Sequence, residues 1–563
     1  MKGSRPVYTL SSLTIEQFIT QYPTQAYTSG SCVPGVQHCE GTVPNSTCGR
    51  PTVGSNIPQG GGGCIIRQLF GEFANATRPR LSEPRVKTDD GARVPSHSID
   101  ISNKSDDKND NRYKSNEVPK CSCPNSSLCQ PLPHGPPVSD VHVWSDCSVG
   151  DGDCAGQCLN STDPYCKQTS SWSQFDLSVV TTLVMMHGGH SVTVGVDGAV
   201  QVNNGLMDLS TLLCTAHAHD VRVLAVVLPE PTQKNNFYQN LFGNATAVSR
   251  MADELTAMVR ASGIDGLEFD LEEMTNPLWN QPNTTFDFGA HHVAAMTQVS
   301  RILKAAQPHA TVALTVDAVD LTPPLTTHAR TYAQMYPVAR LSKVVDQIFV
   351  MAYDLWRSGQ QCAGPNSPLP EVTKSLQSYI ESGADASSLI LGLPWYGYEY
   401  RCNSWLTPNS SSTSTPCQVP GLGSPHCITG TLANPLVEYL GVSTWAMEAM
   451  LAEGCTKGWS DEFASAFVNC PIATGPWQNA SRTPGRTTHV PYGKGNCWER
   501  PSKGCDAVPK WSQTWYDDAR STKAKVAVGK ALKLGGIGVF TGEGAGVGPS
   551  AAEYWAALGS FKL

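Results

Sequence analysis

The chain has 563 residues, 16% of them charged, and a formal net charge of −8. That length suits a large barrel with additions rather than one small domain, and the mildly acidic balance leaves no footprint for nucleic acid. No apolar run reaches the ~18 residues that a membrane span requires.

Residues 1–118 carry a glycine run at Gly60 to Gly63 and a polar, charged stretch from Arg78 to Lys120. Such a composition cannot bury enough surface to offset the entropy of ordering, so this extension is expected to be disordered or an artefact of gene prediction. The first 30 residues hold no apolar core of a signal peptide, so an incomplete or misjoined N-terminus is expected. Twenty cysteines, sixteen of them from Cys121 onward, nevertheless imply an oxidising compartment. Zinc competes for close pairs such as Cys121/Cys123, but no two Cys-x-x-Cys pairs recur, so disulfides are favoured with no pairing assigned. Acceptor sequons at Asn45, Asn75, Asn103, Asn125, Asn160, Asn244, Asn283, Asn409 and Asn479 agree with secretory passage, lysosomal or extracellular.

From about residue 139, short β-branched runs alternate with helical patterns, as parallel βα units do. Strands are predicted at Val141–Trp144, Val179–Met186, Val221–Leu228, Gly263–Glu272, Thr311–Val316, Gln347–Tyr353, Leu389–Tyr396 and Gly536–Phe540. Eight such strands fit an α/β fold of the (β/α)8 TIM-barrel type, with 119–401 as its first part and 515–563 as its last. Between them, 402–514 is rich in Cys, Ser, Pro and Gly with little alternation, and reads as an insertion between strands seven and eight.

The most informative stretch is the fourth strand. Glu268, Asp270 and Glu272 alternate with Leu267, Phe269 and Leu271, so on a strand three carboxyl groups share one face and three apolar groups the other. At about 6.6 Å spacing and an effective dielectric near 20, each adjacent ionised pair repels by roughly 2.5 kcal/mol. A chain that accepts this cost is expected to use a raised carboxyl pKa. A cation-binding loop is disfavoured by the interleaved bulky residues, and a solvated edge strand by the amphipathic helix before it: Val248, Met251, Leu255, Met258 and Val259 at helical spacing, then Gly263 at a C-cap position.

Asp265-Gly266-Leu267-Glu268-Phe269-Asp270-Leu271-Glu272 resembles the Asp-x-x-Asp-x-Asp-x-Glu strand of the glycoside hydrolase family 18 chitinases. Met351-Ala352-Tyr353-Asp354, Pro394-Trp395-Tyr396-Gly397 and Gly535–Phe540 resemble its strands six, seven and eight. Cys121-Ser122-Cys123-Pro124 with Cys129, and Trp515-Tyr516-Asp517-Asp518 with Lys523 and Lys525, resemble more specifically the family's exo-acting, chitobiose-cleaving lysosomal enzymes.

The resemblance implies a glycosidase acting on β-1,4-linked N-acetylglucosamine, in which the substrate's own acetamide oxygen is the nucleophile and configuration is retained through an oxazolinium ion. It implies Glu272 as acid and then base, Asp270 as the anion beside the acetamide N–H, and Tyr353 as donor to the acetamide oxygen. Asp354 and Tyr396 match cleft residues. Trp144, Trp356 and Trp395 are candidate sugar platforms, although aromatics at strand ends are as often packing. Two departures stand out. Glu268 occupies a position where the family has Asp or Asn, and Phe540 one where it usually has Trp, so that Phe540 is either a smaller sugar floor or plain core.

No cofactor is implied, and a metal at His187 and His190 lacks a carboxylate to complete its ligands. The expected partner is an oligosaccharide of N-acetylglucosamine, with the protein a monomer. An endochitinase with an open groove and a chitin-binding lectin of the same fold remain as alternatives.

Overall fold

The computed structural model describes residues 123–145, 172–186, 192–202, 210–230, 235–275, 285–355, 363–402, 404–406, 426–428, 441–443, 455–471, 511–546 and 549–562. The extension 1–118, His187, His190 and Trp356 lie outside them.

Eight parallel strands form the central sheet: β1 (Asp140–Ser145), β2 (Thr182–Met185), β3 (Arg222–Pro229), β4 (Gly266–Phe269), β5 (Thr311–Asp317), β6 (Gln347–Met351), β7 (Leu389–Pro394) and β8 (Gly536–Phe540). Each pairs with the next, and β8 returns to β1 through Asp140↔Gly536 to Val143↔Val539, which closes the (β/α)8 barrel. The chemistry lies where the strands end. The predicted fourth strand stops at Phe269; Asp270 still donates its backbone N–H to the Val227 carbonyl at 3.0 Å, and the chain then turns into a short 3-10 segment, Glu272–Thr275. Strand six likewise ends at Met351, two residues before Tyr353. A hairpin of Val192–Val194 and Val200–Val202, which the sequence reading omits, extends the sheet beyond β3.

Every barrel strand is buried on both sides, so the alternation separates two cores rather than core from water. Val141, Leu267, Phe269, Ile348, Leu391, Leu393 and Val539 face the helices. Trp144, Val184, Val226, Ala313, Phe349, Ile390 and Phe540 face inward. Helix Ala245–Ser262 shows how the outer layer forms. Asn244 caps its start by accepting from Thr246 N–H, Val248, Met251, Leu255, Met258 and Val259 are buried, and Gly263 ends it at φ 78°. A side chain at Gly263 would stand 2.3 Å from the Cys129 carbonyl oxygen, so the turn into β4 requires glycine.

The insertion supplies a five-stranded antiparallel sheet in the order Gly441–Ser443, Tyr396–Cys402, Trp511–Tyr516, Ser465–Pro471 and Thr456–Ser460. Its first strand starts one residue after β7 ends, inside the segment that the sequence assigns to strand seven. Tyr398, Phe463, Phe467 and Trp515 of this sheet share one apolar cluster with Trp144, Tyr353 and Phe540 of the barrel, so the sheet packs on the barrel mouth. Below it, Asp518 caps helix Ala519–Ala531 while Asp517 and Lys525 form a fully buried ion pair. The Asp517-Asp518…Lys525 motif thus anchors the helix that leads into β8. On the other side, Cys123 is disulfide-bonded to Cys214 with Cα atoms 5.6 Å apart, fastening the start of the barrel segment to helix Ser210–Ala218.

Inside the barrel, two glycines make room for one ring. A Cβ at Gly392 would lie 2.4 Å from Phe349 Cε1, and one at Gly538 would lie 2.8 Å from Phe349 Cε2 and 2.2 Å from the His142 carbonyl oxygen. Gly392→Ala is therefore expected to overpack the interior and lower stability by about 1–3 kcal/mol, measured by urea unfolding, with Phe349→Leu in the same chain recovering part of the loss.

Candidate active site

The inward positions of the strands carry polar groups in two levels, a closed floor and a mouth. Asp140 and His142 of β1 and Glu268 of β4 form the floor and are completely buried. His142 Nδ1 stands 3.3 Å from Asp140 Oδ2, and its Nε2 stands 3.3 Å from Glu268 Oε2. Gln347 donates to Asp140 at 2.7 Å, Thr182 donates to it at 2.9 Å, and Thr315 donates to Glu268 at 3.2 Å. Burial opposes a charge on His142, but the hydrogen bonds and negative charges of Asp140 and Glu268 outweigh it and push the imidazole up to about 9. Asp140 is likewise held below the usual carboxylate value: burial acts against this, and His142, Thr181 and Gln347 overcome it.

Above the floor stand the groups singled out from sequence. Asp270 is 3% exposed, and Glu272 is half-buried at the rim. Tyr353 stands just past the end of β6, its phenol held far above the ordinary tyrosine value first by burial and then by the negative charges of Glu272, Asp354 and Asp270. Two consequences follow. The hydroxyl stays a neutral donor at any working pH, and it lies close enough to both acids to feel their charge. Asp354, at φ 56°, turns its carboxylate into the mouth, where Tyr396 donates to it at 2.6 Å and Tyr398 donates as well. Asn366 accepts the Asp354 backbone N–H at 2.5 Å, which fixes that turn.

Phe540 joins these groups. Its ring centroid is 5.9 Å from Tyr353, 5.9 Å from Trp144 and 6.3 Å from Tyr396. Trp144 stands beside it on the neighbouring strand, 2% exposed and 5.5 Å from Phe349, so the indole is packed rather than open to the mouth. Trp395 does not reach the site at all. Lying between β7 and the strand that starts at Tyr396, it points to the helices, as Leu391 and Leu393 do, and packs 4.8 Å from Trp555 and 5.9 Å from Tyr554. Its expected role as a sugar platform is corrected to packing.

The structure therefore brings together Glu268, Asp270, Glu272, Tyr353, Asp354, Tyr396 and Phe540, backed by Trp144. Sequence reasoning overlooked Asp140, His142, Gln347 and Thr315. A signal for two of them was present, because Asp140-Val141-His142-Val143-Trp144 repeats the polar–apolar alternation of the acidic strand. A fifth overlooked residue is Glu543, which follows β8, is buried and accepts from Ser145 at 2.6 Å.

Known proteins resemble the chain in the same region. The model of glycosyl hydrolases family 18 matches residues 197–543. A probable di-N-acetylchitobiase 1 of Dictyostelium discoideum is 24% identical over 437 residues, covering 75% of this chain and 87% of that protein. The di-N-acetylchitobiase of Homo sapiens is 22% identical over 426 residues, covering 75% and 82%. Among solved structures, a GH18 chitinase from Cycas revoluta in complex with (GlcNAc)3 aligns with TM-score 0.48 and 16% identity, over 69% of this chain and 96% of that one. With a closed barrel, acids at the end of its fourth strand and a family match that spans most of the barrel, the chain belongs to glycosyl hydrolases family 18 and is a glycosidase.

Proposed function

We propose that the protein hydrolyses the β-1,4 bond between N-acetylglucosamine residues, in chitobiose units of glycoprotein cores or in chitin fragments, with retention of configuration. What supports this reading is that Tyr353 lies near enough to Asp270 and Glu272 to feel their charge, a neutral donor beside two acids just past the ends of β4 and β6. That set matches what an acetamide nucleophile needs. The Tyr353 hydroxyl donates to the acetamide oxygen and aligns it on the anomeric carbon. Asp270 accepts from the acetamide N–H and offsets the positive charge of the oxazolinium ion. Glu272, at the rim where a leaving-group oxygen can approach, gives its proton to that oxygen and then takes one from the water that opens the ring. Phe540 provides the apolar floor for the sugar whose bond breaks. Every step uses side chains of this chain and the substrate.

The antiparallel sheet built directly on the end of β7 favours exo action, since bulk at the mouth closes one end of a groove. The sixteen cysteines from Cys121 onward and the sequons support a lysosome-like or extracellular setting. A second reading, a chitin-binding lectin, is supported by Phe540 alone, because a phenyl ring offers a sugar less area than an indole.

The test is hydrolysis of a chromogenic diacetylchitobioside at acidic pH. Glu272→Gln is expected to lower kcat by about 10²–10⁴, and Tyr353→Phe by about 10², with the β-anomer as first product in proton NMR. Equal, near-background rates for the unmodified protein and Glu272→Gln, with sugar binding intact, would establish the lectin. Monosaccharide as first product from long chitin supports exo action, whereas mixed oligomers identify an endochitinase. Phe540→Trp is expected to lower KM several-fold while leaving the pH profile in place, as read from initial rates across substrate concentration.

A further inference from the structure

Below the residues to which the proposed reaction gives roles lies a charged cluster with none. Asp140, His142 and Glu268 are closed off from solvent, and Glu268 enters the cluster from β4, which is not a neighbour of β1 in the barrel. The contact of Glu268 with His142 therefore crosses the barrel interior, and the reach of the glutamate side chain, one methylene longer than aspartate, is what spans it. The His142 ring is bracketed by carboxylates, with Asp140 Oδ2 3.3 Å from one nitrogen and Glu268 Oε2 3.3 Å from the other. Phe349 closes a remaining side, its ring centroid 5.3 Å away.

A neutral imidazole has one N–H and one lone pair, so it would turn the lone pair toward one of the two carboxylates. An imidazolium presents an N–H to each. Neutral donors around the trio are Thr181, Thr182, Gln347 and Thr315, the first three to Asp140 and the fourth to Glu268. Arg222 and Lys562 are the further cations that sense Asp140. Thr315 donates to Glu268, and His142 is the cation that stands against it.

We propose that His142 is a positioning residue for the glycosidase reaction: as a buried cation it holds the Glu268 side chain across the barrel and sets a positive charge beneath Asp270 and Glu272. The inference deepens the hydrolase reading and rests on it. Without the cation, the floor would lose its positive charge, and the field acting on Asp270 and Glu272 would change. Burial acts against a charged His142, and the two carboxylates more than restore it, so the imidazolium persists to about pH 9. The sign follows. His142 is charged throughout the acidic and neutral range, and its support for Glu268 is lost only as pH rises through that value.

Two independent readouts test this. In histidine-selective nitrogen NMR, with the His142 signal assigned from its loss in His142→Phe, the unmodified protein should show an imidazolium up to about pH 8, and Glu268→Gln should bring its deprotonation at least one pH unit lower. A neutral His142 at pH 7 overturns the proposal. In kinetics on the diacetylchitobioside, His142→Phe should lower kcat at least tenfold with KM within about twofold and displace the pH profile, whereas the double variant His142→Phe/Glu268→Gln should recover most of the loss. Equal impairment of single and double variants, with an unmoved profile, would make His142 merely structural and overturn the proposal. If His142→Phe does not fold, the near-isosteric Glu268→Gln decides through NMR, with its lost signal shift assigned by His142→Asn. The NMR result is read whether or not the protein turns over, so a failure of the hydrolase reading is told apart from a failure of this one.

Discussion

Carboxyl groups inside a closed barrel survive only where cations, donors or an opening replace the water they have lost. Transferring one ionised carboxylate to the interior costs several kcal/mol even after relaxation, and mutual repulsion along a strand adds to that. Here the compensation is graded by depth. At the floor, Asp140 and Glu268 share the cation His142 and the donors Gln347, Thr182 and Thr315. Higher up, Asp270 lies near the Tyr353 phenol, and Glu272 at the rim is half-open to solvent. Each acid stands where a different means of stabilisation is available. That is the requirement of a site that must supply an acid and an anion at once.

The barrel itself follows from the same alternation. Strands buried on both sides separate an outer shell, held to the helices by Leu267, Phe269 and Val539, from an inner one that carries the chemistry. A shift of one residue on β4 would bury Leu267 and Phe269 in the polar interior and turn Glu268 and Asp270 against the helices. The register Gly266↔Thr311 to Phe269↔Leu314 with β5 is thus a functional constraint as well as a stabilising one. Gly392 and Gly538 belong to this scheme, because only their missing side chains let Phe349 lie flat between the floor and the mouth.

Much of this was legible in the chain. All eight barrel strands are found where β-branched runs occur, since a doubly buried strand leaves a dense apolar signature of its own. The strand ends were less legible: Glu272 and Tyr353 read as strand but lie beyond it, because nothing in a side-chain pattern says where a barrel wall stops and its rim turns. Trp395 was misplaced for a related reason. It and Tyr396 are adjacent, and only the three-dimensional register decides which of two neighbouring aromatics faces in. His142 was passed over because a lone histidine in an apolar run commonly reads as core; its meaning depends on Glu268 arriving from across the barrel, a pairing of residues far apart in sequence.

The mouth raises a further point about the Phe540 departure. A phenyl ring in place of an indole leaves the floor smaller, yet the neighbouring aromatics close around it: Tyr353 and Trp144 each stand 5.9 Å from it, and Tyr396 stands 6.3 Å away. Tyr396 and Tyr398 are in turn tied to Asp354, and Tyr398 belongs to the antiparallel sheet that grows from β7. The sheet and the barrel mouth therefore share one aromatic cluster. Aromatic pairs at such separations contribute about 0.5–1.5 kcal/mol each beyond their burial, enough to hold a smaller floor rigidly in place. The two departures, at Glu268 and Phe540, are thus of one kind: each side chain differs in reach or area, and each is met by a neighbour from another strand that compensates for the difference.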